Sequence, residues 1–201
     1  MSLHRSPGRW SAALLVGLVM VATTSLAATW RVTDGSEVVF ESSAPLESFE
    51  GKTSEVRGHV GCDPGQLAGP CDLRIVVDLA SLDTGIGLRN DHMRDRHLET
   101  DRFPEAEFVG TSIVTASLPA LEAGESVQLT VRGRFALHGV TREREIEAVA
   151  TLAGDGHLHV QAEFPVSLEA HEISRPGFLV MKLADEQKVR VALICTPEEK
   201  R

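Results

Sequence analysis

Apolar and polar residues alternate along most of the chain, and a period of two is typical of half-buried β-strands. The pattern is clearest at 126–137, where one face carries only apolar residues and glycine and the other carries Gln128, Arg132 and Arg134. Similar alternation runs through 145–152, 157–169 and 187–195. Turn residues such as Gly154, Asp155 and Gly156 join these runs. The pattern predicts about eight antiparallel strands and none of the repeated strand-helix-strand units of a parallel sheet.

One stretch, 79–108, interrupts the alternation. Its apolar residues Ile86, Met93 and Leu98 fall at roughly helical spacing after a group of turn residues. Asn90 or Asp91 is the expected cap, and Phe103 with Pro104 should end the insert, because a residue before proline is driven out of the helical region. The sequence therefore predicts an all-β protein with one short helical insert. The segment 45–53 also breaks the strand pattern.

An antiparallel barrel is the expected architecture, since closure removes exposed strand edges. A β-sandwich remains the alternative. Eight strands enclose either a filled core or room for one small ligand. Small residues on the apolar faces favour a cavity, and they are Gly133, Ala148, Ala150 and Ala162. A compact core in which these residues oppose larger side chains fits the pattern equally well.

The N-terminus has the layout of a secretory signal peptide. Arg5 and Arg9 precede an apolar run at 12–22, and the small-residue pattern Ser25-Leu26-Ala27 follows it. We expect cleavage after Ala27, which divides the chain into a signal peptide, 1–27, and one domain, 28–201. The apolar run is too short for a permanent membrane span. A periplasmic or secreted location is therefore expected.

The charge of the chain constrains its partners. The formal net charge of −9 becomes −11 when the two arginines of the signal peptide are removed. No basic stripe remains, so the sequence argues against nucleic acid and anionic membrane surfaces as partners. It leaves the oligomeric state open, with a homodimer as one option.

Three cysteines lie in the exported part. Cys62 and Cys71 flank a segment dense in turn residues. A hairpin disulfide is expected in an oxidising compartment, and the alternative of a metal pair lacks two further ligands at suitable spacing. Cys195 shares the apolar face of the last strand and is expected to be a small buried hydrophobe.

Three stretches in the correct order resemble the YceI-like family. The first combines 78–85, Arg89-Asn90-Asp91-His92-Met93, and Phe103-Pro104 with Phe108. The second is Gly133-Arg134-Phe135-Ala136-Leu137-His138-Gly139-Val140-Thr141, and the third is 173–186. The resemblance covers nearly the whole exported chain. It implies a lipocalin-like barrel with a helix near one end and a YceI-like lipid-binding domain at 28–201.

Members of this family are known for holding an isoprenoid chain, such as a polyprenyl phosphate or a quinone tail, inside the barrel. The resemblance implies the same class of amphiphilic ligand here, with no enzymatic activity and no other cofactor. An apolar tunnel suits such a chain because each buried methylene contributes about 0.8 kcal/mol. The candidate lining residues are Met93, Leu98, Phe103, Phe108, Leu129, Phe135, Phe164 and Phe178.

A ligand head group would need polar partners at the mouth of the barrel. The candidate cations are Arg89, His92, Arg94 and Arg175, with Lys182 nearby in sequence. Asp91, Asp95 and Asp185 are close enough in sequence to pair with these cations instead. The chain departs from the family in having no tyrosine and in carrying the hairpin cysteines.

Other chemistry finds little support in the sequence. His157 and His159 share one face of a strand, but that face is polar and solvated histidines are the expected outcome. His171-Glu172 lacks the second histidine of a zinc protease motif. No paired carboxylates or nucleophile elbow predict catalysis. The alternatives that stay open are an exported interaction domain without a lipid and an enzyme acting on a lipid-like substrate.

Overall fold

The computed structural model describes residues 28–44, 47–175, 177–178 and 181–198, with the backbone alone at 44, 47, 177, 178, 181 and 182. The predicted signal peptide, 1–27, lies outside the described residues and stays a prediction.

The described chain consists mainly of strands. They are β1 Ala28–Val32, β2 Glu37–Ala44, β3 Glu47–Thr53, β4 Val56–Cys62, β5 Gly69–Asp78, β6 Glu105–Ala116, β7 Ser126–Leu137, β8 Val140–Leu152, β9 Leu158–Ser167, β10 Gly177–Phe178, β11 Met181–Lys182 and β12 Glu186–Pro197. Between β5 and β6 lie a 3₁₀ turn Leu79–Ser81, helix α1 Gly87–His92 and a π-helical turn Met93–His97. A second 3₁₀ turn, Glu169–His171, follows β9.

The main sheet is antiparallel and closes on itself. Its strand order is β1-β4-β5-β6-β7-β8-β9-β12-β2-β3. An additional pairing between β1 and β12 closes the sheet into a barrel. β1 and β2 pair with different parts of β12, so together they occupy one strand position of the barrel. β4 pairs with β1 and β3 pairs with β2, so β3 and β4 together occupy the next position. The predicted barrel of eight antiparallel strands with one short helical segment is confirmed.

Two local predictions were wrong. The segment after Pro45 was expected to interrupt the strands, but β3 pairs with β2 from Val38–Thr53 to Ala44–Glu47. The many polar residues of β3 gave no clear strand pattern in the sequence. A strand whose outer face is in water needs apolar residues on its inner face only. Asn90 or Asp91 was expected to cap the helix, but α1 begins at Gly87 with Ile86 as its cap, and both residues lie inside it.

Alternation along each strand sends one set of side chains into the barrel. In β7 the residues Val127, Leu129, Val131, Phe135 and Leu137 are all buried, while the intervening residues are partly or fully exposed. The buried side chains form two clusters, one around Trp30 and Val127 and the other around Phe135 and Val166. The second cluster includes Met93 and Leu98 of the insert, so the insert packs on that end of the barrel.

The predicted disulfide between Cys62 and Cys71 is absent, and both residues are free thiols. The hairpin does bring them together, since the pairing of Gly61 with Asp72 places them at facing positions of β4 and β5. Burial raises the pKa of each thiol to about 11. The thiolate needed for disulfide formation is therefore scarce at neutral pH. Cys195 is buried as expected, and burial also raises its pKa to about 11.

Candidate functional site: an apolar cavity inside the barrel

The barrel encloses a cavity of about 830 Å³. Nearly all of its lining is aliphatic or aromatic and comes from every strand of the closed barrel together with the insert. Ala148, Ala150 and Ala162 lie on the wall, as the sequence predicted. Ala148 faces Ala162 across β8 and β9, so two of the smallest side chains stand side by side where larger ones would fill the interior.

Gly133 does not contribute space to the cavity. A side chain at this position would come within 2.3 Å of the Val109 carbonyl oxygen and 2.8 Å of the Gly110 Cα atom. The glycine therefore permits a close approach of β6 and β7 instead of opening the interior. The prediction that Gly133 helps to open the cavity was wrong. A small residue leaves space only where no neighbouring atoms fill it, and its size in the sequence does not show those neighbours.

Two loops cover one end of the cavity. Leu67, between β4 and β5, and Leu121, between β6 and β7, are both buried in the lining. Their loops are bonded to each other, since the Leu67 N–H donates to the Pro119 carbonyl at 3.0 Å and the Leu121 N–H donates to the Pro64 carbonyl at 2.8 Å. This end is closed by backbone hydrogen bonds as well as by apolar packing.

The insert lies at the opposite end, and there the lining reaches solvent. Ile86 and Leu88 line the cavity although they are 51 % and 67 % exposed. Large apolar side chains that remain exposed beside an apolar cavity mark its opening. We call this end, formed by 86–98 and the rim of the adjacent strands, the mouth.

A polar network holds the start of the helix at the mouth. The Asn90 Oδ1 atom accepts hydrogen bonds from Thr84 N at 2.9 Å and Thr84 Oγ1 at 2.7 Å, and its Nδ2 donates to Asp83 Oδ1 at 2.7 Å. The bond from Asn90 lowers the pKa of Asp83, and a backbone hydrogen bond from Gly85 acts in the same direction. Asp83 also forms an isolated bridge to Lys52 of β3, which fastens the insert to the barrel wall.

The predicted apolar lining is mostly found on the cavity wall. The residues there are Met93, Leu98, Phe108, Leu129, Phe135 and Phe164. Phe103 is not on the wall, because its ring packs on His138 with centroids 4.6 Å apart and lies under Gly139. The side chain of Phe178 lies outside the described residues, so its place on the wall stays a prediction.

The predicted cations divide into two groups. Arg89 and His92 line the mouth. The Arg89 guanidinium lies 4.0 Å from the centre of the Phe49 ring and donates to Thr84 Oγ1 and the Thr84 carbonyl, each at 2.9 Å. Its position is thus fixed by the barrel rim.

Arg94 and Arg175 do not line the cavity. Arg94 Nη2 donates to the Leu82 carbonyl at 3.3 Å, which directs the side chain along the insert. Arg175 is exposed, and its charge helps to lower the pKa of Asp185 after the hydrogen bonds from Ser167 and Glu169. The expected competition from Asp185 is therefore present for Arg175.

The sequence missed the polar residues Ser42, His97, Glu107 and Gln187 among those that line the cavity, and two of them are buried. Ser42 is 1 % exposed and Gln187 is 6 % exposed, and both line the cavity near the mouth. Each occupies an inward position of its strand, in phase with Phe40 and Val189. A polar residue at an otherwise apolar alternate position was the signal available.

Metal and membrane features are limited in the part of the chain described. Within 28–44, 47–175, 177–178 and 181–198, no group of three or more histidine, cysteine or acidic side chains is arranged to hold a metal ion. No helix among these residues has the length and apolar character needed to cross a membrane.

The sequence pattern of the YceI-like domain matches residues 30–194, a range that reaches into all eight barrel strands. The chain belongs to the YceI-like family. A comparison with curated proteins found no match.

Three solved structures are similar to this chain in fold. BcnA of Burkholderia cenocepacia superposes with a TM-score of 0.68 at 21 % identity, covering 80 % of this chain and 96 % of its own. A polyisoprenoid binding domain from Saccharophagus degradans gives 0.65 at 18 % identity, with 86 % and 100 % covered. The YceI protein of Campylobacter jejuni gives 0.56 at 14 % identity, with 75 % and 85 % covered. At these identities the likeness concerns the fold.

Proposed function

We propose that this YceI-like protein is an exported binding protein that holds one amphiphilic lipid, with an isoprenoid chain, inside its barrel. The observation that carries the proposal is the apolar cavity of about 830 Å³, which has one covered end and one mouth. A long apolar chain gains about 0.8 kcal/mol for each methylene that leaves water, so it binds such a cavity with few polar contacts. The structural likeness to a polyisoprenoid binding domain agrees with this ligand class.

The mouth suits the polar end of such a ligand. A chain inserted toward Leu67 and Leu121 leaves its head group beside Arg89 and His92. Ile86 and Leu88 extend the apolar surface outward, which gives the chain a continuous apolar path from solvent into the barrel. We therefore propose that the ligand enters and leaves past the insert.

The proposed action is binding without chemical change of the ligand. A polyprenyl phosphate and a quinone are both within the proposed class.

The signal-like N-terminus supports export to the periplasm or the medium. N-terminal sequencing of the protein from its natural host should then begin at Ala28.

Native mass spectrometry tests the binding proposal directly. The full chain is purified without detergent from the envelope of its own host, and its mass is compared with that of the denatured protein. The expected result is an apolar adduct that is released on denaturation and recovered unchanged after incubation. A ligand-free mass, together with failure of the folded protein to take up an apolar fluorescent probe, contradicts the proposal.

A pair of double variants tests whether the cavity is the binding site. Ala148→Phe with Ala162→Phe places two facing rings on the inner wall, and we expect at least a tenfold loss of affinity for an isoprenoid, because losing two buried methylenes already has that effect. The matched control is Val149→Phe with Gln161→Phe, which changes the neighbouring facing pair on the exposed outer side. Equal affinities for the two double variants, measured by probe displacement, exclude the interior as the site.

A further inference from the structure

Ser42 carries a buried hydroxyl group that lacks a hydrogen-bond partner among the described residues. It is 1 % exposed and lies on the cavity wall. Leaving a buried hydroxyl unpaired costs about 1–3 kcal/mol, so such groups are normally satisfied. The hydroxyl offers one hydrogen-bond donor and two acceptor sites on the wall of a largely apolar cavity.

Gln187 stands beside Ser42. The pairing of β2 with β12 ends at Glu41 with Lys188, so Ser42 and Gln187 are the next residues of the two strands, and both line the cavity. Gln187 is 6 % exposed and also lines the cavity. Its Nε2 atom donates to the Ala184 carbonyl at 2.7 Å, which fixes the orientation of the amide. A buried hydroxyl and a buried, oriented amide thus lie side by side on the wall.

The surroundings of this pair are neutral and apolar. Ser42 is paired with Phe49 on one side, and Gln187 is paired with Val166 on the other. Arg89 lies on the far side of Phe49, where its guanidinium stacks on the Phe49 ring and donates to Thr84. The pair therefore offers hydrogen bonds without a charge of its own.

We propose that Ser42 and Gln187 form a ligand subsite for a neutral oxygen atom, the carbonyl or hydroxyl group of a lipid head, just inside the mouth. This inference rests on the proposed function, since it assigns the head group of the same ligand. A quinone or a prenyl alcohol fits the subsite. A phosphate does not fit this pair, because its desolvation requires a paired charge and neither Ser42 nor Gln187 carries one. Ser42 donates to or accepts from the oxygen, and Gln187 supplies the second partner.

Ligands that share one chain and differ in the head group provide the test. Farnesene has no head oxygen, farnesol and farnesal carry a hydroxyl and a carbonyl, and farnesyl phosphate carries a charge. Affinity of the full mature chain for each ligand is measured by displacement of an apolar fluorescent probe. The quantity compared is the ratio of Kd values between variant and wild type for the same ligand, so that differences in ligand solubility cancel.

For Ser42→Ala we expect farnesol and farnesal to bind about three- to tenfold more weakly and farnesene to bind unchanged, because one net hydrogen bond is lost. Ser43→Ala is the matched control, since Ser43 is the adjacent residue on the exposed face of the same strand. It should change none of the ratios. Gln187→Leu should reproduce the Ser42→Ala pattern. The melting temperature of Ser42→Ala should be equal to or above that of wild type, which keeps the test independent of folding.

Three outcomes overturn the assignment. A Ser42→Ala variant that weakens farnesene as much as farnesol shows that the residue acts only through packing. Unchanged farnesol and farnesal ratios show that the hydroxyl does not touch the head. Farnesyl phosphate binding more tightly than farnesol, with the difference lost in Arg89→Leu, assigns a charged head instead. In each case farnesene still binds and the proposed lipid-binding function stands, whereas no binding of any of the four ligands removes the function as well.

Discussion

His171 is buried at the mouth end of the barrel, where its ring meets the edge of Phe135 with centroids 5.4 Å apart. Burial lowers the pKa of His171, and the charges of Arg142 and Arg144 act in the same direction. A histidine with a lowered pKa binds its proton more readily in the unfolded chain. Stability therefore falls as the pH drops below the ordinary histidine value of about 6.5.

The prediction from this residue is a pH-dependent loss of stability. The melting temperature of the wild-type protein should decrease between about pH 7 and pH 5, and His171→Gln should show a shallower decrease because it removes one such group. His97, whose pKa burial also lowers, should contribute in the same sense. Thermal unfolding monitored by circular dichroism at several pH values measures both slopes. Parallel curves for wild type and His171→Gln would show that His171 is not the origin of the dependence.

At the residue scale, the sequence predicted the inward faces of β7, β8 and β9 well, since alternation leaves little choice of register when one face is buried. It could not predict what individual inward residues do. Phe103 looked like a wall residue and packs on His138. Such differences depend on neighbours from distant strands, which a single sequence does not display.

The insert is the element that shapes the mouth, and its position depends on hydrogen bonds inside the chain segment 83–90. Asn90 is buried and makes three of these bonds, two to Thr84 and one to Asp83. Arg89 adds two more bonds to Thr84. A six-residue helix has little stability of its own, so these contacts determine whether it forms.

We predict that Asn90→Ala destabilises the protein by about 1–3 kcal/mol, because Thr84 and Asp83 lose their partner. Asp91→Ala is the control, since Asp91 is exposed at the next position of the same helix and the alanine has the same effect on helix propensity. Urea unfolding of both variants gives the free energies. Identical values for the two variants would mean that the network does not support the insert.

The sequence predicted the existence of the helix from Ile86, Met93 and Leu98 but placed its start incorrectly. Asparagine is a common cap, and local statistics favour that role for Asn90. Here the side chain reaches back to Thr84, six residues earlier, which requires the preceding turn to fold against the barrel. Contacts of this kind arise from the tertiary fold and are not encoded in residue preference.

The whole molecule depends on close contact between strands all the way around the barrel. Gly133 of β7 faces Gly110 of β6, and the Val109 carbonyl oxygen lies 2.3 Å from the place where a Cβ atom would be. A methyl group cannot fit there without moving backbone. The strand spacing at this position is therefore set by the glycine.

Gly133→Ala should destabilise the barrel by about 1–3 kcal/mol through overpacking. Gly154→Ala is the comparison, because a methyl group added there would meet no atom within 4 Å and the backbone is not in the left-handed region. That change should stay within about 0.5 kcal/mol. Guanidinium unfolding followed by tryptophan fluorescence compares the two. A Gly133→Ala variant as stable as Gly154→Ala would show that β6 and β7 can separate freely.

At this scale the sequence predicted the barrel, because alternation in long antiparallel runs leaves few ways to bury the apolar faces. It could not establish the seam. The seam joins Trp30 to Pro197 and Val32 to Cys195, pairs separated by almost the full length of the domain.

The seam also has a consequence for the order of events in a cell. Strand β12 pairs with β1, β2 and β9, so the wall of the barrel is incomplete until residues 186–197 have been synthesised. Pairings between distant parts of a chain form slowly. A nascent chain halted before residue 186 would expose its apolar inner surface to water, and a ligand has a complete cavity to occupy only after the whole of β12 has been made.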